Sequence, residues 1–174
     1  TSTLLGGCRV TRGGKKPDRI ASDAAKTALC GLGYFEAITY SFCGRALVNK
    51  TLPDPSKDKT KYISIFNPLG EEMSLMRVSL LPSLVEIASS NQSKSNKEFK
   101  LFELAKVYLS EEDALTKLPE EKNKLALITS GHDFYEIKND IKELLSVLGV
   151  GSPEFSRSKE EILHPGISAD ISVN

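Results

Sequence analysis

Apolar residues along this chain recur at two spacings, and the switches between them predict the order of elements. Behind Asp18, a residue able to cap a helix, Ile20, Ala24 and Ala28 fall on one face. A helix is expected from residue 18 to about Leu32, stopped by the GLG run at residues 31–33. EAITYSF (36–42) is β-branched and aromatic and reads as a strand, with a short helix following at about residues 45–49. KYISIF (61–66) reads as a second strand, ended by Asn67-Pro68-Leu69-Gly70, where the proline disfavours a helical residue before it. Residues 73–78 are expected to be extended. A helix then starts near Ser79, with Pro82 in its first turn and Leu81, Leu84, Val85 and Ala88 on its apolar stripe.

FKLFELAKVYL (99–109) carries apolar residues at both parities, the pattern of a central strand covered on both faces. The charged stretch EEDALTKLPEEKN reads as a hairpin connection to a strand at KLALITS (124–130). The strongest helical stripe is Phe134, Ile137, Ile141, Leu144, Leu145 and Leu148, with Asp133 as cap and Gly149 as stop. A last strand pair is expected at residues 154–157 and 167–173. Strands cluster between helices instead of alternating with them. That favours an α+β fold, a mostly antiparallel sheet flanked by helices, over a doubly wound one. Residues 1–17 are Gly-rich, basic and aperiodic, and read as a linker leading into a domain at 18–174. The start without Met and the stop inside ISADISVN suggest a piece of a longer protein.

Composition narrows the function. Lys plus Arg and Asp plus Glu each number 23, so no global basic field attracts nucleic acid, and only six cations are Arg: Arg9, Arg12, Arg19, Arg45, Arg77 and Arg157. The three cysteines, Cys8, Cys30 and Cys43, lack CxxC spacing and read as small buried thiols of a reduced, cytoplasmic protein. No apolar run reaches the roughly 20 residues a membrane helix needs. His132 and His164 have no ligand partner at helical spacing, and no phosphate-binding glycine loop occurs. The basic RVTRGGKKPDR segment could touch RNA phosphates but reads first as a solvated linker. Arg77 lies in a run apolar enough to bury it, and a buried guanidinium must be paired. Glu71 and Glu103 are the candidate partners. Glu103 shares the parity of Phe99, Leu101 and Ala105 and so points to an otherwise apolar face.

GYFEAITYSF, NPLGEEMSLMRVSLLPSLVEIASSN, FKLFELAKVYL, LPEEKNKLALITSG, DFYEIKNDIKELLSVLGV and LHPGISADI follow one another in an order and spacing that is specific in combination. Over about residues 18–174 the chain resembles the catalytic-like core of the bacterial phenylalanyl-tRNA synthetase β subunit. It departs from the usual pattern at Val78, Ser83, Lys106 and Ile167; the last replaces an Arg and weakens any phosphate role for the LHPG turn. The resemblance implies a class II aminoacyl-tRNA synthetase-like fold. It also implies an assembly of two α and two β subunits that uses ATP and Mg²⁺ to join phenylalanine to its tRNA. In that family the α subunit holds the active site, and the β core is a degenerate copy packed against it.

A class II site fixes the ATP α-phosphate with an Arg on a strand ending roughly VYR-x-E. The comparable strand here ends LAKVYLSEE, which puts Leu109 at the Arg position. The resemblance therefore implies a non-catalytic scaffold with no cofactor of its own. Asn67, Pro68, Met76, Arg77, Leu80, Leu81 and Leu84 are its candidate subunit-interface residues, and Glu103, His164, Pro165 and Gly166 have structural roles. A tRNA-binding module acting through the basic segment is the alternative, and an active adenylating enzyme is disfavoured.

Overall fold

The computed structural model describes residues 13–52, 61–112, 116–160, 163–164 and 166–173. Helix α1 spans Pro17–Gly31. Asp18 is not its cap: the helix starts one residue earlier, behind an extended Lys16, with Pro17 in the first turn, where its missing N–H is no loss. Asp18 instead sits in the first turn, where its charge favours the positive end of the helix dipole. Leu32 ends the helix, and Gly33, at φ +86°, turns the chain through the left-handed region that favours glycine. The expected linker falls largely on residues 1–12, outside the described residues; residues 13–16 belong to no helix or strand.

Residues 36–42 do not form one strand. β1 (Phe35–Glu36) and β2 (Phe42–Cys43) flank an irregular stretch, because the two ends pair with different partners. β1 runs parallel to β4 (Phe99–Leu109), whereas β2 is antiparallel to β3 (Leu75–Met76). Ala37 N–H still donates to Phe102 O at 2.7 Å, so the chain leaves one sheet only after its last bond to β4. The expected strand at 61–66 is likewise reduced to single bridges, Lys61 with Ser110 and Ser64 with Leu75. Helix α2 (Arg45–Thr51) follows β2, and Glu71–Met73 form a 3-10 turn, so the extended stretch expected at 73–78 shrinks to β3.

Helix α3 (Leu81–Ser93) carries Pro82 in its first turn as expected. Leu84 and Ala88 of the expected stripe are buried and Val85 is half-buried, but Leu81 is exposed and Leu80, four residues before Leu84, faces inward in its place. β4 is central, between β1 and β5 (Glu120–Ser130), and pairs with β5 one-to-one over its whole length from Phe99↔Ser130 to Leu109↔Glu120. Helix α4 (Phe134–Val147) starts with a complete capping box: Asp133 accepts from the Tyr135 and Glu136 N–H groups, and Glu136 accepts from Asp133 N–H. β6 (Glu154–Arg157) and β7 (Ala169–Ser172) form the expected final pair. Antiparallel pairing predominates, with β1–β4 the parallel exception.

The main core lies between one face of β4 and helices α1 and α4: Ala25, Leu29, Tyr34, Phe102 and Leu144, flanked by Leu104, Leu125, Leu127 and Leu148. A smaller cluster of Cys43, Val48 and Leu75 sits under Leu52 and Tyr62. Among the described residues no helix is long and apolar enough to cross a membrane.

Candidate functional site

The second face of β4 is held by charge. Arg77, just after β3, and Glu103, in the middle of β4, are 4% and 2% exposed, and Arg77 Nη1 lies 2.8 Å from Glu103 Oε1. Every other group around the pair is also engaged. Arg77 Nε donates to Lys106 O at 2.8 Å, and Nη1 also reaches Thr39 Oγ1 and Tyr40 O at 3.1 and 3.3 Å. Thr39 Oγ1 is 2.9 and 3.0 Å from the two Glu103 oxygens, and Thr39 N–H donates to Oε1 at 3.3 Å. The Thr39 hydroxyl can thus donate to the carboxylate while accepting from the guanidinium. The main chain closes the arrangement: Arg77 N–H donates to Ser41 O, and Tyr108 N–H donates to Arg77 O. Among the described residues no buried side-chain polar atom lacks a partner. Of the two carboxylates considered for Arg77, Glu103 is the partner, and Glu71 is exposed elsewhere. Thr39 escapes sequence reasoning; its only signal is a polar residue between Ile38 and Tyr40.

Leu109 shares the parity of Glu103 and Val107 and so belongs to the same face of β4. It lines an open cleft of about 510 Å³ with Ser110, Glu111, Lys117, Glu120 and Lys122. The cations there are already matched: Lys122 lies 3.0 Å from Glu120, and Lys117 lies 3.7 Å from Glu112. Hydrogen bonds from the Thr116 N–H and hydroxyl, aided by Lys117, hold the Glu112 carboxyl below its ordinary value. The Leu109 side chain itself offers no charge to a phosphate group. Lys106 reaches the solvent side and meets Glu121 at 2.5 Å.

The candidate interface residues do not form one surface. Asn67, Pro68 and Leu81 are exposed, Met76 is half-buried, and Arg77, Leu80 and Leu84 are buried inside the chain. His164 is exposed and its Nδ1 accepts from Gly166 N–H at 3.1 Å, which locks a local turn; Pro165 lies outside the described residues. His132 Nδ1 is 3.4 Å from Glu136. Cys43 is buried, and desolvation raises its thiol pKa, but Cys30 is exposed, contrary to expectation, because it lies on the solvent side of α1. In the basic segment, Lys15 and Arg19 both pair with Asp23, at 2.6 and 3.0 Å, while Arg9 and Arg12 lie outside the described residues.

Two further features carry no sequence signal. On the helix-covered face of β4, Asp140 Oδ2 accepts from Tyr34 at 3.0 Å and from Lys100 Nζ at 2.7 Å, and the ammonium lies 5.3 Å from the Tyr34 ring centroid. The second is a cleft of about 650 Å³ bounded by residues 38–47, the Glu71–Met73 turn and α3. Gly44 shapes its wall: a Cβ there would lie 3.0 Å from Glu72 Cα, so glycine lets the start of α2 pass the turn.

Residues 3–174 match the family described as the phenylalanyl tRNA synthetase beta chain CLM domain. The chain is similar to the phenylalanine–tRNA ligase beta subunits of Clostridium tetani (34% identity, 94% of this chain and 21% of that protein) and Halalkalibacterium halodurans (31%, 100% and 23%). It therefore spans about a fifth of their length. In fold it is similar to a pyrrolysyl tRNA synthetase from Desulfitobacterium hafniense (TM-score 0.67, 16% identity, 91% of this chain and 54% of that one). It is also similar to an ATP phosphoribosyltransferase regulatory subunit/histidyl-tRNA synthetase from Bacillus halodurans (TM-score 0.61, 12% identity, 90% and 42%). The architecture is the α+β fold of class II aminoacyl-tRNA synthetase catalytic-like domains.

Proposed function

This chain belongs to the family of phenylalanyl-tRNA synthetase β-chain CLM domains, and from that premise we propose that it is a non-catalytic scaffold core which packs against the synthetase α subunit. In this reading the complete enzyme, two α and two β subunits in the cytoplasm, attaches phenylalanine to its tRNA. ATP and Mg²⁺ are handled by α, and residues 18–174 form the catalytic-like core of β.

Leu109 carries the proposal. In this reading it takes, at the end of the central strand, the position from which a class II synthetase presents a guanidinium to ATP, and the lysines near it face carboxylates. Adenylate formation needs fixed positive charge on the phosphates as they rearrange, and an isobutyl group supplies none. Among the described residues the one buried guanidinium, Arg77, bonds to Glu103, Thr39 and two main-chain carbonyls. Taking it for a ligand would leave Glu103 as an unpaired buried charge.

Co-expression of the full-length β subunit with α, followed by gel filtration, tests the scaffold role. The expected result is co-elution as a stable complex, which needs on the order of 1,200–2,000 Å² of buried surface. A folded β subunit that elutes apart from α would overturn it.

A further inference from the structure

We propose that Asp140 sets the roll of α4 about its own axis, so that one edge of the helix's apolar stripe covers the β4 sheet and the other edge covers the β6–β7 hairpin. The stripe is Phe134, Ile137, Ile141, Leu144, Leu145 and Leu148. Apolar burial alone would turn the middle of that stripe toward the sheet. The middle is not there. The deepest positions of α4 are Asp140 and Leu144, 7% and 4% exposed, whereas Ile137, Ile141 and Leu145 are half-buried. Ile141 lies about 100° around the helix from Asp140. With Phe134 and Ile137 it lines a small cleft of about 110 Å³ against Phe155, Ile167 and Ile171 on the hairpin side. The Lys138 and Lys142 ammonium groups lie 4.6 and 5.9 Å from the Phe155 ring centroid and tie the helix to the same side.

A directional contact explains this roll. Asp140 Oδ2 accepts from the Tyr34 hydroxyl and from Lys100 Nζ. Tyr34 follows α1 and Lys100 begins β4, so both donors stand on elements other than α4. Apolar contacts are non-directional and survive a turn of the helix, but these two hydrogen bonds do not. Turning α4 to centre its stripe would swing the carboxylate away from both donors and leave a buried charge unpaired. The roll matters to the hairpin. Among the described residues β6 and β7 pair only with each other, and a two-stranded sheet is marginal in water without a cover. Asp140 is thus a positioning residue for a hairpin that it does not touch through its own hydrogen bonds. This inference does not rest on the scaffold reading.

The test is amide hydrogen exchange, read by mass spectrometry on the full-length β subunit, with Tm followed in parallel. One variant combines Asp140→Ala, Tyr34→Phe and Lys100→Met. It strands no polar group, and alanine adds no apolar anchor that could hold the same roll. Residues 154–157 and 169–172 are expected to exchange at least about tenfold faster, with β4 within about twofold of wild type. A second variant, Tyr34→Phe with Lys100→Met, leaves α4 unaltered; Asp140 then regains water only by rolling outward, and the same selective acceleration is expected. It decides the matter should the first variant lose its fold. Hairpin exchange as slow as wild type in a folded variant would overturn the proposal. Acceleration of β4 and the hairpin together would overturn it too, because the contact would then support the whole domain and not the roll of one helix. Loss of the fold in both variants has the same meaning.

Discussion

Phe102 and Glu103 are consecutive residues of β4, both deeply buried, and they hold opposite sides of the same strand by different means. Phe102 packs into a cluster with Leu29 and Leu144, where the stabilisation is non-directional and scales with the apolar area removed from water. Glu103 meets Arg77 and Thr39, where the stabilisation depends on every charge and donor finding its partner. The first side tolerates reshaping as long as volume is kept. The second tolerates almost no single change, and it also fixes how residues 38–40 leave the sheet. The face that ends in Leu109 thus carries its buried guanidinium already paired within the chain.

Single truncations should be costly on both sides but for different reasons, and the difference is measurable by urea unfolding. Phe102→Ala leaves a cavity and should cost about 3–5 kcal/mol. Glu103→Ala leaves Arg77 buried and unpaired and should also cost about 3–5 kcal/mol. The two sides separate in the paired replacement: Arg77→Met with Glu103→Leu should recover most of the Glu103→Ala loss, because no charge is then stranded. If the double variant is as unstable as Glu103→Ala, the ion pair is not what organises that face.

A smaller effect probes the polar clasp on the Phe102 side. Tyr34→Phe should cost about 1 kcal/mol, the net worth of its hydrogen bond to Asp140. Burial, aided by that bond, raises the Tyr34 hydroxyl well above its ordinary value of 10.0. The folded chain therefore holds this proton more tightly than the unfolded chain. Its contribution is complete below the ordinary tyrosine value and drains away as pH rises beyond it. Wild-type stability should fall above about pH 10 more steeply than that of Tyr34→Phe; parallel alkaline limbs would contradict the assignment. The smallest test concerns the thiols. Brief exposure to a maleimide, followed by peptide mapping, should label exposed Cys30 and spare Cys43, which lies in the Val48–Leu75 cluster. Equal labelling of both would mean that this cluster opens readily.

Much of this was readable from residue order because it is local. β4 carries its own bounds in FKLFELAKVYL, α4 carries its cap in Asp133 and its stop in Gly149, and the need to match a buried charge narrows the partner of Arg77 to Glu71 or Glu103, between which the fold chooses Glu103. What failed depends on distant partners. Residues 36–42 look like one strand until two different sheets claim their ends. Tyr34 and Asp140 are 106 residues apart, so their contact has no local signature. Thr39 gains its role only when Arg77 and Glu103 converge on it. Only the first member of the α3 stripe was misread, Leu81 for Leu80, because Leu80 lies just before the first helical turn.

The central claim is that the β4 face ending in Leu109 supports the enzyme without performing its chemistry. The most direct measurement is phenylalanine-dependent ATP–pyrophosphate exchange by the full-length β subunit purified without α, alongside the assembled enzyme. Exchange by the assembled enzyme, with β alone no higher than a blank, is the predicted result. Phenylalanine-dependent exchange by β alone would contradict it.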